Sequence, residues 1–120
     1  MRVLVLGARG LLGTDLLDEW RTDELIAAGS AEADLRDAAQ VDRLLERVHP
    51  DWVIVCAAYT DVDGCERNRE LAFAVNATGV RNAARSAQKI GARVFLTSTD
   101  YVFDGRGSRP YETTDPIPTG

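Results

Sequence analysis

Unbroken apolar blocks alternate along this chain with stretches in which apolar residues recur every three or four positions. RVLVLG (Arg2–Gly7) is short, continuous and closed by glycine, which predicts a parallel strand covered on both faces. LLGTDLLDEW follows at once and places Leu12, Leu16, Leu17 and Trp20 at helical spacing. ELIAAG reads as a second, weaker strand. Asp37 is placed to cap AAQVDRLLERVHP, in which Val41, Leu44, Leu45 and Val48 share a face and Pro50 is the stop signal. DWVIVCAA is apolar throughout and predicts a central third strand. An alanine-rich helix is expected from about Glu66 to Lys89, and GARVFLTST gives the fourth strand. The order β-α-β-α-β-α-β implies an α/β fold, a doubly wound Rossmann-type parallel sheet with helices on both faces. Right-handed crossovers give an expected strand order of 3-2-1-4.

Composition narrows the functional classes. The 120 residues form one domain, 45% hydrophobic and 28% charged, as in ordinary globular proteins. A net charge of −5 leaves no basic face for nucleic acid, so no nucleic-acid partner is expected. Cys56 and Cys65 are too few for a disulfide framework, and a reduced, cytoplasmic setting is the expectation. The strand pattern begins at Arg2 and no apolar run is long enough to span a bilayer, so neither a signal peptide nor a membrane partner is expected. His49 has no second histidine to share a metal with, and Asp61, Asp63, Asp100 and Asp104 read as solvated loop carboxylates; no metal is expected.

The first candidate chemistry is the loop GARGLLG, with Gly7, Gly10 and Gly13 spaced G-x-x-G-x-x-G between the first strand and its helix. Such a loop lets a backbone approach a pyrophosphate and aims helix N–H groups at it. Gly7, Arg9, Gly10, Leu11, Leu12 and Gly13 are therefore candidate cofactor contacts. A dinucleotide site then calls for an acid about twenty residues on, to hold the adenosine ribose. Gly29 and Ser30 stand at the end of the second strand instead. With no carboxylate expected there, Arg9 is free either to pair with a 2′-phosphate or simply to be solvated. The first alternative predicts NADP(H) preferred, with NAD(H) also usable.

The second candidate is the hydroxyl pair Ser98 and Thr99, at the carboxyl end of the fourth strand. A hydroxyl there can donate to a ketone oxygen as charge develops on it, or it can cap the strand end through local bonds.

The segments PDWVIVCAAYTDVDGCERN, AFAVNATGVRNAA and STDYVFDG resemble the extended short-chain dehydrogenases/reductases, and within them the dTDP-4-dehydrorhamnose reductases, from the glycine loop to PYETTDPIP. The resemblance implies NADPH-dependent reduction of the C4 ketone of dTDP-4-dehydro-L-rhamnose to dTDP-L-rhamnose. It implies adenine-side contacts at Asp34 and Leu35, a cofactor cleft lined by Ala57 and Ala58, and Tyr59 and Thr60 bordering nicotinamide and substrate. Asn76 matches an active-site asparagine, whose other reading is a tie between helix and loop. Thr99 matches the catalytic hydroxyl, with Ser98 beside it and Tyr101 near the cleft.

One part of the family's machinery is not found. Its Y-x-x-x-K pair protonates the alkoxide and holds the nicotinamide ribose. Here Tyr59, Tyr101 and Tyr111 are followed four positions on by Asp63, Gly105 and Asp115, and the sole lysine, Lys89, follows Arg85. The expectation is an amino-terminal, cofactor-binding half that lacks the later strands and the substrate-binding part and is inactive alone. Its fourth strand should then be an open edge, inviting a homodimer or association with the missing remainder. Two other readings stay open: a non-catalytic NADP(H)-binding regulatory module, and a sugar-nucleotide epimerase or dehydratase that holds NAD(H).

Overall fold

Val3, Leu4 and Val5 are fully buried, and the sheet is assembled around them. A computed structural model of the chain describes residues 1–56, 68–70, 74–97 and 103–116. Among these the elements run β1 (Arg2–Leu6), α1 (Leu11–Glu19), β2 (Glu24–Ala28), α2 (Ala38–Val48), β3 (Trp52–Val55), a π-helix (Ala74–Gly79) continuing into α3 (Val80–Ile90), and β4 (Arg93–Leu96). All three strand pairings are parallel.

The doubly wound architecture is as expected. Side chains alternate across β1, so Val3 and Val5 meet Leu16 and Leu17 of α1 and Trp20 just beyond it on one face. Leu4 and Leu6 join Val53 and Val55 under α2 and α3 on the other. The predicted apolar stripe of α2 is the buried one, Val41, Leu44, Leu45 and Val48. Asp37 caps that helix by accepting from the backbone N–H groups of Ala39 (3.0 Å) and Gln40 (3.3 Å). At its other end His49 adopts a left-handed φ of 52°, and the Arg2 guanidinium donates to the Val48 carbonyl at 2.8 Å. Ala83 and Ala87 let α3 approach the sheet closely, and both are fully buried.

The strand order is β2-β1-β3-β4, which corrects the expected 3-2-1-4. The third strand pairs with the other edge of β1, Val3 opposite Trp52 through Leu6 opposite Val55. Burial explains the choice. Val53, Ile54 and Val55 are shielded from water, whereas β2 exposes Glu24 and Ala27 and half-buries Leu25 and Ile26. The more apolar strand gains more from the interior position, and β2 is left at the edge. Among the described residues no strand lies outside β2.

The long helix also departs from expectation. Ala74–Gly79 winds as a π-helix before α3 begins, and Val75, Asn76, Thr78 and Gly79 are weak α-helix formers. Residues 66, 67 and 71–73 of the expected helix lie outside the described residues. At the other end of the described sheet, β4 exposes the Phe95 and Leu96 side chains, 52% and 47% accessible. No helix among the described residues is long and apolar enough to cross a membrane.

Candidate dinucleotide cleft

The connections from β1 and β3 leave in opposite directions, towards β2 and β4, so the carboxyl ends of these neighbouring strands flank a crevice. Open α/β sheets bind ligands at such a reversal. A cleft of about 420 Å³ opens there. Leu6 and Cys56 bring the strand ends to it, Gly7 and Gly10 the first loop, and Gly29 the end of β2. Cys56 is a free, half-buried thiol whose pKa burial pushes up, so it serves as apolar lining.

The glycine loop owes its shape to three backbone requirements. Gly7 takes a φ of 77°, a left-handed value that disfavours any side chain. Its N–H and that of Ala8 both donate to the Ala28 carbonyl, at 2.9 and 3.2 Å, tying the loop to β2. Gly13 is buried beneath the loop, where a Cβ would overlap the Gly7 carbonyl oxygen and stand 2.8 Å from the Ala8 Cα. α1 can therefore pack against the loop only through glycine.

Gly10 precedes the helix in extended conformation, and the first intrahelical bond runs from Thr14 N–H to the Gly10 carbonyl at 3.0 Å. The N–H groups of residues 11–13 precede that bond and are the donors a helix start offers an anion. Leu11 and Leu12 expose their side chains, 93% and 43% accessible, so what they offer a ligand is backbone.

Arg9 is not a lone cation. Its guanidinium forms a bidentate pair with Glu32, Nη2 to Oε1 at 2.8 Å and Nη1 to Oε2 at 3.1 Å. Glu32 Oε2 also accepts from the Gly29 N–H at 2.7 Å. This overturns the expectation that no carboxylate stands at the end of β2. Glu32 lies beyond the strand in sequence, but the turn made by Glu32 and Ala33 N–H donating to the Gly29 carbonyl folds it back. A Cβ at Gly29 would overlap Arg9 Nη1, so a side chain there would shift the guanidinium from this position.

The Arg9 and Gly29 hydrogen bonds hold the Glu32 carboxyl down to about 2, against an ordinary 4.5, and the same pair raises the Arg9 pKa. A depressed carboxyl pKa contributes stability above the unfolded value that is lost as pH falls through the folded one. The contribution from Glu32 is thus complete above about pH 5 and disappears towards pH 2. Asp34, Asp23, Asp42 and Asp115 are lowered as well and add to acid sensitivity. In thermal melts, the midpoint should fall more steeply between pH 5 and 2 for the wild type than for Glu32→Gln. Equal slopes would show that the pair does not stabilise the fold.

Asp34 and Leu35 line the cleft beyond the end of β2, together with Arg36, which the sequence reading did not include. Arg36 Nη2 donates to Asp34 Oδ2 at 2.7 Å and Nε to Oδ1 at 2.9 Å, lowering the Asp34 pKa. The turn is fixed from behind by Asn82, buried on α3, whose Nδ2 donates to the Leu35 carbonyl at 2.8 Å. A helix-to-loop tie is one of the two roles read for Asn76, and Asn82 performs such a tie. Asn76 itself is exposed on the π-helix, next to Val75, which lines the cleft.

Glu32, Arg36 and Asn82 were not singled out from sequence. The spacing of about twenty residues from the glycine loop could have found Glu32 had the turn been allowed for. Lys89 stands apart from the cleft chemistry. Its Nζ donates to Asp42 at 2.9 Å, and Asp42 also accepts from the Ser86 hydroxyl, joining α2 to α3. Tyr111 stacks on Phe103 with centroids 4.2 Å apart and accepts from the Gly107 N–H. Ala57, Ala58, Tyr59, Thr60, Ser98, Thr99 and Tyr101 lie outside the described residues. The structure therefore brings together Gly7, Arg9, Gly10, Asp34 and Leu35 of the candidate set.

Comparison with known proteins agrees with this geometry. Residues 1–119 match the family model described as "RmlD substrate binding domain". A dTDP-4-dehydrorhamnose reductase of Mycobacterium tuberculosis is 45% identical over 120 residues, covering 95% of this chain and 39% of the relative. The chain thus spans about two-fifths of the length of such curated relatives. Among solved structures, a dTDP-4-dehydrorhamnose reductase from Clostridium acetobutylicum superposes with a TM-score of 0.93 at 35% identity, over 98% of this chain and 43% of that one. The Bacillus anthracis enzyme, solved in complex with NADP, gives 0.91 at 38% identity with the same coverage.

Proposed function

The chain belongs to the family of the RmlD substrate binding domain, and from that membership we propose that it is the cofactor-binding part of an NADPH-dependent dTDP-4-dehydrorhamnose reductase. The observation that carries this reading is the cleft at the β1/β3 crevice. It combines a glycine loop tied to β2, an open helix start and a cation at the adenosine end. Bound NADPH supplies the hydride for the C4 ketone of dTDP-4-dehydro-L-rhamnose. The residues of this chain hold and orient it: residues 11–13 through their N–H groups at the pyrophosphate, Asp34 and Leu35 at the adenine, and Arg9 at a 2′-phosphate.

Ala57 and Ala58 complete the cofactor wall in this proposal, and Tyr59, Thr60, Asn76, Ser98 and Tyr101 border the nicotinamide and sugar. Thr99 donates to the ketone oxygen as it gains negative charge. Protonation of the alkoxide falls to a Tyr/Lys pair outside these residues, because Lys89 is paired with Asp42 on the helical face. The same reading places the protein in the cytoplasm, where dTDP-sugars and NADPH meet. It assigns the open side of β4 to a homodimer contact or to the rest of a longer chain.

The test is a turnover assay with the full-length protein. NADPH should be consumed on addition of dTDP-4-dehydro-L-rhamnose, with dTDP-L-rhamnose as product. NADPH binding without turnover on any 4-keto sugar nucleotide would replace the reductase with a binding module.

A further inference from the structure

We propose that Asn82, which stands on α3 outside the cleft, is a positioning residue for the cofactor: through the Leu35 carbonyl it holds the 34–36 turn in the orientation that receives the adenosine half. The inference rests on the dinucleotide reading above and deepens it.

The peptide joining Leu35 to Arg36 is held at both of its polar atoms. Its carbonyl accepts from Asn82 Nδ2 at 2.8 Å, and its N–H donates to Asp34 Oδ1 at 2.9 Å. The Arg36 side chain closes on the same carboxylate, Nη2 to Oδ2 at 2.7 Å. Asn82 therefore sets the plane of that peptide, and the peptide sets the Asp34 carboxylate. Leu35 also anchors the turn by its buried side chain, but apolar burial is non-directional and does not orient the peptide that follows. Among the described residues, every other hydrogen bond of residues 34–36 stays within 34–40. The directional tie from this turn to the rest of the described fold is Asn82.

The helix that carries Asn82 also reaches the cleft wall. The helical stretch begins at Ala74, and its Val75 lines the same cleft as Leu35 and Arg36. Wall and rim are thus joined through one helix and one hydrogen bond. A turn released from Asn82 keeps its apolar cover but samples other peptide orientations. The cofactor must then select the competent one, and its apparent affinity falls by the fraction of time that orientation is populated.

The experiment compares binding of NADPH and adenosine 5′-diphosphate to the full chain for wild type, Asn82→Ala and Ser86→Ala. Alanine at position 82 deletes the donor and keeps a strong helix former. Ser86 is the control, because it is buried on the same helix but bonds Asp42 of α2 rather than the turn. Asn82→Ala should weaken both ligands by the same factor, roughly three- to tenfold, as the loss of one buried hydrogen bond does. Equal factors place the loss in the adenosine half that the two ligands share. Ser86→Ala should lower the thermal midpoint and leave both affinities at the wild-type value. In the wild type, adenosine 5′-diphosphate should also shift the Asn82 side-chain amide resonance, a reading that stands even if Asn82→Ala does not fold.

Wild-type affinities in a folded Asn82→Ala, an equal loss of affinity in Ser86→Ala, or an unmoved Asn82 resonance overturns the inference and leaves the dinucleotide reading intact. Failure of the wild type to bind either ligand overturns both.

Discussion

Gly13→Ala is expected to destabilise the domain by about 2–3 kcal/mol, as overpacking of a tight contact does, lowering the thermal midpoint by roughly 8–12 °C for a domain of this size. The added Cβ has nowhere to go. Its neighbours are the Gly7 carbonyl oxygen and, at 2.8 Å, the Ala8 Cα, both backbone atoms. Relief requires α1 and the loop to separate, and that movement carries the N–H groups of residues 11–13 away from the cleft. Dinucleotide affinity should therefore fall together with stability.

Gly10→Ala separates the two effects. A Cβ at Gly10 stands 3.4 Å from the Gly7 carbonyl oxygen, an ordinary contact, in a backbone conformation open to any residue. Its melt should be close to wild type while cofactor binding weakens, because in the proposed site the methyl lies where the pyrophosphate approaches. Calorimetric melts with and without NADPH read both quantities. A Gly13→Ala variant that melts with the wild type would mean that α1 does not depend on that close approach.

The second large effect is on turnover. Thr99→Val should lower kcat for ketone reduction by about 10²–10³-fold, the loss typical of removing one donor from a developing oxyanion. Valine keeps the shape of threonine and deletes only the hydroxyl. KM and NADPH affinity should change little, because in the proposed role the Thr99 bond strengthens as the ketone oxygen gains charge. A loss confined to KM would assign Thr99 to substrate binding, and an unchanged kcat would remove it from the chemistry.

Much of the fold was legible because it is written in local periodicity. The apolar blocks gave the strands, and the stripe of Val41, Leu44, Leu45 and Val48 gave α2 and its buried face. Asp37 gave the capped start of that helix. The glycine spacing located the loop that closes one wall of the cleft. The strand order was not legible in the same way, since β2 and β3 were both candidates for an interior place and the more apolar β3 took it. Nor was the π-helix at Ala74–Gly79, because a run of weak α-helix formers within a helical stretch does not say which kind of helix it winds.

The candidate site divides along the same line. The sequence by itself determined which groups could meet a dinucleotide, because the requirements at Gly7 and Gly13 are properties of one short segment and its neighbouring strand. It also put Arg9 in the loop. Only the tertiary structure decided what Arg9 faces. The turn after β2 returns Glu32 to the strand end, and a carboxylate in a neighbouring turn is set by chain reversal rather than by periodicity. Asn82 likewise reaches Leu35 across 47 residues, a bond that exists only once α3 has packed on the sheet. Short-range order follows from residue types and spacing, whereas the charge a side chain meets depends on segments brought together by burial of the core.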